Sequence, residues 1–165
     1  MQFTLDIFLM ISCSYVIMSL AEYIAHRWIM HRPGIIEEEY YVHTKVHHGR
    51  FYKDFENDPD PLAKHVNIKM SALNNLFYGS PIFLGLWYFE FYAMLIVLAS
   101  FTILHAWTWT LIHSEMHDPK GAWFSVLRLY KFYRHYHYMH HKDNNCNYNV
   151  VCPLMDFVFA TFRWR

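Results

Sequence analysis

The sequence is poor in cysteine, with only Cys13, Cys146 and Cys152 among 165 residues. Three at that spacing exclude a disulfide framework and a cysteine-based zinc knuckle, and predict reduced thiols facing a cytosol or buried in lipid. Neither sign of charge is in excess, because 14 Lys and Arg balance 14 Asp and Glu. No polyanionic partner is implied, and no nucleic-acid-binding signature occurs. Basic residues are missing altogether from 1–26 and from 70–119. The glycine fingerprint of a dinucleotide site is absent too, so the chain carries no reductant of that kind. No glutamate stands three residues before a histidine, which excludes the Glu-x-x-His pattern of carboxylate di-iron bundles.

Hydrophobic residues, by contrast, make up 55% of the chain and aromatics 20%, both above the soluble average. The length suits one domain, 1–165. Phe3 to Ala21 is apolar apart from Asp6 and some small polar residues. At ~1.5 Å per residue it spans about 28 Å, close to a bilayer core. The start MQFTLD has no basic region, so a cleaved signal peptide is not expected. The helical pattern runs on through HRWIMHR to Arg32, where Pro33-Gly34 stops it. A second apolar block, Leu76 to His113, is too long for one crossing and suits two short ones turning at Glu90, with Gly79 and Pro81 as a kink. Every Lys and Arg falls in Arg27–Lys69 or Lys120–Arg165. The positive-inside rule then puts the N-terminus and the Glu90 turn outside and both basic windows in the cytoplasm. The expected fold is all-α: about three transmembrane helices under a cytoplasmic, histidine-rich helical cap.

Histidine is the outlier, at 13 residues. His26 and His31 form HRWIMH; His43, His47 and His48 form HTKVHH; His113 and His117 form HSEMH; His137, His140 and His141 form HYMHH. On the expected topology these ten share one membrane face. At ~100° per residue, His43/His47 and His113/His117 each point one way, and His137, His140 and His141 fall within an arc of about 100°. His26 and His31 are about 140° apart on a regular helix. They share a site only if His31 lies at a frayed end, and otherwise serve different metals. His65, His105 and His135 have no such company and are read as bystanders. Imidazole suits zinc, copper, iron and nickel. Ten histidines exceed one closed zinc site, whereas two metals with about five imidazoles each leave an open position apiece, the arrangement iron uses to activate dioxygen.

The order HRWIMH, HTKVHH, HSEMH, HYMHH resembles the integral-membrane fatty acid hydroxylase/sterol desaturase superfamily. The segment NYNVVCPLMDFVFAT, Asn147 to Thr161, is similar to that family's tail after its last HH. Two family glycines are replaced, by Asn149 and Ala160. In size the chain is similar to bacterial carotenoid hydroxylases, in its tail to the fatty-acyl and sterol branch. The resemblance implies a membrane di-iron oxygenase that hydroxylates, or less often desaturates, an unactivated C–H bond of a lipid. A fatty-acyl lipid is favoured, with a carotenoid or sterol as the alternative. It implies two iron ions (which zinc can replace during purification), O2 as co-substrate, and a separate ferredoxin- or cytochrome-type electron donor. The aromatics Trp87, Tyr88, Phe89, Phe91, Tyr92, Phe101, Trp107 and Trp109 could wall an apolar pocket. Glu22, Glu115, Asp118, Asp143 and Asp156 could accept hydrogen bonds from ligand N–H groups, or simply cap and solvate. Two rival classes stand beside this reading. His113 to Asp118 reads HxxxxD, the pattern of membrane glycerolipid acyltransferases, and a non-enzymatic metal carrier would string its histidines across the bilayer.

Overall fold

The computed structural model describes residues 2–51, 55, 70 and 72–165. Among them there is no strand. α1 covers Gln2–Ile24 and continues as a π-helical segment, Ala25–Met30. α2 (Glu37–Tyr40) runs into a second π-helical segment, Tyr41–His47, and then α3 (His48–Phe51). α4 (Ala72–Tyr78) and α5 (Ser80–Tyr88) descend to a tight turn, and α6 (Tyr92–His117) returns. A 3-10 turn, Trp123–Val126, precedes α7 (Arg128–Lys142), and α8 (Leu154–Val158) closes the tail.

α1 and α6 pack against each other with an inverted polarity. α1 buries Ser14, Ser19 and Glu22, the π-helical segment after it buries His26, and α1 exposes Phe3, Phe8 and Leu9. α6 buries Thr102, His105 and His113 and exposes Ile96, Leu104 and Trp107. Polar groups turned inward and large apolar ones outward are what a lipid surround selects, and so broad an apolar surface is unusual for a water-soluble monomer. Among the described residues, two helices are long and apolar enough to cross a membrane, Phe3–Met30 and Tyr92–His117. The expected crossing ahead of Glu90 is helical but broken at Gly79. Pro81 has no N–H to give the carbonyl one turn back, so it begins a helix instead of continuing one. The turn does fall at Glu90. Its φ of 61° is left-handed, and Phe91 N–H donates to Leu86 O (2.8 Å) while Glu90 N–H donates to Trp87 O (3.1 Å), the paired bonds of a Schellman cap.

The tail is fastened by two buried carboxylates. Asp156 accepts from Tyr148 N–H (2.9 Å), Asn149 N–H (2.7 Å), the Thr161 hydroxyl (2.6 Å) and the Tyr136 hydroxyl. Glu22 accepts from Val150 N–H (2.7 Å) and from the Asn149 amide (3.2 Å). Ala160 has φ 53°, a region costing an alanine about 1–2 kcal/mol. Replacing the exposed Ala160 by glycine relieves that strain against a smaller gain in unfolded-state freedom. The variant should be more stable by on order of 0.5–1 kcal/mol, read as a higher denaturation midpoint in detergent. An unchanged or lower midpoint refutes the strain.

Candidate metal centre

The ten clustered histidines come from four segments and meet where the His-bearing ends of α1 and α6 meet the second π-helical segment and α7. Every one of them is buried except His31, which is partly so. They form two adjoining groups. In the first, His26, His31, His43, His48 and His140 each offer a ring nitrogen, all within 4.8 Å of one another. In the second, His47, His113, His117 and His137 do the same. His141 adjoins the second group through Nε2, 3.1 Å from His137 Nε2. The groups abut at His48 and His141, whose rings stack at 4.2 Å.

The π-helical segments explain how the first group assembles. His31 N–H donates to His26 O at 3.1 Å, an i→i+5 bond that brings residue i+5 back over residue i as i+4 is brought back in an α-helix. The two rings, expected about 140° apart on a regular helix, therefore stack at 5.0 Å. His48 N–H bonds to His43 O in the same way. This corrects the sequence expectation that His43 and His47 point together: His43 joins His48, and His47 turns to the other group. On α7, which is regular, His137 and His141 share one side and His140 faces the first group.

Contacts within the groups run from Nε2 to Nε2. His43 Nε2 lies 2.8 Å from that of His26, 3.2 Å from that of His31 and 3.1 Å from that of His48. His31 and His140 are 3.0 Å apart, and His117 and His137 3.1 Å apart. Adjacent ligands at right angles around an ion with bonds of ~2.1 Å would be about 3 Å apart, so the spacing suits nitrogens that share a cation. Three of the opposite ring nitrogens are held by backbone. His26 Nδ1 donates to Tyr148 O, His140 Nδ1 to Cys146 O (2.6 Å) and His117 Nδ1 to Phe55 O (2.9 Å). The Thr44 hydroxyl contacts His31 Nδ1 at 3.2 Å and donates to Met30 O. A proton on Nδ1 leaves the lone pair on Nε2, aimed into the group. Burial, reinforced by the neighbouring rings, holds His43, His48, His137, His140 and His141 well below the usual imidazole range. At neutral pH they are uncharged donors.

The fatty acid hydroxylase family profile matches residues 11–161. The chain belongs to the fatty acid hydroxylase family. Searches of curated proteins and of solved structures find no significant match. The ten histidines lie inside the stretch shared with the family, as does the Asp156-fastened tail.

The geometry decides other expectations for this hydroxylase-family chain. The groups orienting His26, His31, His117 and His140 are carbonyls and a threonine, and of the two roles open to the carboxylates the capping and solvated one holds for Glu115, Asp118 and Asp143. Glu115 accepts from Lys120 N–H (3.0 Å) and Ala122 N–H (2.9 Å). Asp118 pairs with Lys120, and Asp143 with Arg163. A carbonyl is carried by every residue, so residue identity could not have revealed Tyr148 or Cys146. Trp109, stacked on His113 at 4.2 Å, and Phe51, stacked on His117 at 4.2 Å, were also missed as ring supports; the i,i+4 spacing of Trp109 before His113 was the available signal. His135 faces outward, with Nε2 on Trp164 O at 3.0 Å. His105 sits with Glu22 (3.4 Å) and Cys152 in a third buried group. His65 lies outside the described residues.

Proposed function

We propose that this chain is a membrane di-iron oxygenase that hydroxylates an unactivated C–H bond of a fatty-acyl lipid. The observation that carries the reading is the pair of adjoining, all-imidazole groups whose ring nitrogens converge, the closest Nε2 pairs at about 3 Å. His26, His31, His43, His48 and His140 would hold one ion, and His47, His113, His117, His137 and His141 the other. Iron held there supplies reductive activation of dioxygen and the oxidising power to break a C–H bond. The protein's own part is to orient and to exclude. The carbonyls of Cys146, Tyr148 and Phe55 keep the Nδ1 protons of His140, His26 and His117 in place, which fixes the tautomer and the aim of those three rings. Burial keeps bulk water from the site, and Trp109 separates it from an apolar cavity between α1, α4, α5 and α6.

In this reading both groups face the cytoplasm and the N-terminus lies outside. The broken α4–α5 pair provides the remaining, short crossing, and electrons arrive from a separate ferredoxin- or cytochrome-type donor. The rival classes fit less well. A carrier needs ligands along its path, whereas the ten histidines are gathered at one end of the helices. An HxxxxD base needs its aspartate beside the histidine, whereas Asp118 turns to Lys120 (3.3 Å) and His113 to the second group.

Protein purified from iron-replete cells should contain close to two metal equivalents per chain, iron alone or partly exchanged for zinc. Lipids from the same cells should include a species heavier by one oxygen atom, or lighter by two hydrogens if the enzyme desaturates. One metal or fewer, reproducibly, refutes the dinuclear centre, and an unaltered lipid profile with both metals bound refutes the oxygenase.

A further inference from the structure

Of the eight aromatics expected to wall an apolar pocket, only Trp109 lines the cavity between α1, α4, α5 and α6. Trp87, Tyr88, Phe89, Phe91, Tyr92 and Trp107 are exposed on the outer surface, where a lipid surround would cover them. A second apolar surface lies beyond the long helices. Trp123 is 79% exposed, Val126 71%, Leu129 65% and Leu127 44%. They occupy the 3-10 turn and the start of α7. Trp123 and Val126, three apart on a 3-10 turn, lie one above the other. A row of this kind marks a surface that something covers.

Its height relative to the bilayer follows from what lies behind it. Glu115 accepts from the N–H groups of Lys120 and Ala122, and Gly121 takes a φ of 73°. The chain therefore folds back after α6 instead of rising away from it. Phe124 and Tyr130 join Met116 and Ile112 of α6 in one apolar cluster. Ile112 stands five residues before the end of α6, roughly 7.5 Å below it. Interfacial helices sink their apolar side to a similar depth, about 5–10 Å. Leu111, beside Ile112, is on the exposed face of α6. The row thus continues the apolar surface of that helix at the same height.

Charge agrees. No Asp or Glu occurs between Asp118 and Asp143, a stretch that holds Lys120, Arg128, Lys131, Arg134 and Lys142. Arg128 and Lys131 are exposed beside the apolar row. Apolar residues edged by basic ones suit a bilayer surface with anionic headgroups. A second copy of the chain suits them less, because four side chains supply well under the roughly 800 Å² per partner that a stable interface buries.

We propose that residues 123–129 form an interfacial anchor in the leaflet at the His-bearing end of α6. Trp123, Val126, Leu127 and Leu129 lie among the upper acyl chains, and Arg128 and Lys131 lie at the phosphates. At seven residues the segment dips into the bilayer and does not cross it. The proposal rests on the membrane reading of α1 and α6 and is independent of the reaction. Its consequence is positional. His137 follows Leu129 by eight residues, about 12 Å along α7, so the anchor fixes the height of His137, His140 and His141 over the bilayer.

The test places a nitroxide on single cysteines of the full-length, metal-loaded protein in lipid nanodiscs. A Cys13→Ser background removes the exposed native thiol and keeps the two buried ones. Power saturation reads collisions with oxygen, which concentrates among acyl chains, and with chromium oxalate, which stays in water. Val126→Cys and Leu129→Cys should give an oxygen-to-oxalate ratio at least tenfold above that at Asn145→Cys, and approaching that at Ile103→Cys on α6. In nanodiscs containing phosphatidylglycerol, Arg128→Gln combined with Lys131→Gln should lower the Leu129 ratio at least twofold. In pure phosphatidylcholine the pair should leave it unchanged. Water-like ratios at Val126 and Leu129 with a lipid-like one at Ile103 overturn the anchor. Low collision rates with both reagents mean that protein covers the row, a second copy included, and overturn it as well. An equal loss in both bilayers, or none in either, overturns the headgroup contact. A water-like ratio at Ile103 overturns the membrane reading itself.

Discussion

Alanine in place of any one of His26, His31, His43, His47, His48, His113, His117, His137, His140 or His141 should lower oxygenated product at least about a hundredfold per folded protein. The same change at His105 or His135 should leave substantial activity. The difference follows from where each ring points. Each of the ten meets other imidazoles of its own group through a ring nitrogen, whereas His135 bonds to Trp164 O and His105 to Glu22. With five donors in a group, loss of one need not release the ion. It alters the number of open positions, and with them the oxygen chemistry. Product and metal should therefore part company, with turnover lost and metal largely retained. Full turnover in two or more of the ten variants, or a loss at His135 equal to that at His137, would show that the ligand set is drawn wrongly.

Asp156→Ala should be among the most destabilising single changes in the chain, by on the order of 3–5 kcal/mol. The buried carboxylate receives four donors, Tyr148 N–H, Asn149 N–H and the hydroxyls of Thr161 and Tyr136. Truncation leaves them buried without an acceptor, and each orphaned group costs about 1–3 kcal/mol. The loss also reaches the metal centre, because Tyr148 accepts from His26 Nδ1 through the carbonyl of the residue that Asp156 anchors. Asp156→Asn should recover part of the stability, since the amide keeps one acceptor oxygen while setting its NH2 against a donor. Chemical unfolding in detergent measures both. A cost below about 1 kcal/mol for alanine would mean that the tail is held by its apolar contacts alone.

Much of this arrangement could be read from residue types. Pro33-Gly34 ends the first long helix, Glu90 marks the turn, and the four histidine motifs name the ten rings that come together. What could not be read shares a physical cause. Helical periodicity assumes a regular repeat, so the two π-helical segments were invisible and His43 was paired with His47 when it faces His48. Backbone acceptors such as Cys146 O and Tyr148 O carry no residue-type signal. The kink expected at Gly79 and Pro81 is a full break between α4 and α5. The cavity, too, depends on which faces of α1, α5 and α6 are apposed, and a count of aromatics pointed to the wrong wall.

The π-helical turn at Ala25–Met30 has a consequence for how the chain can vary. A wider turn accommodates one residue more than an α-helical turn, so the stretch between His26 and His31 behaves as a built-in phase correction. Below it, α1 keeps Ser19 and Glu22 on the side that faces α6 and the tail. Above it, the correction returns His31 to that same side. The interval can therefore absorb a change in residue number that a regular helix cannot. Removing one residue lets the turn close as an α-helical one, in which the histidine, now four residues on, still lies over His26.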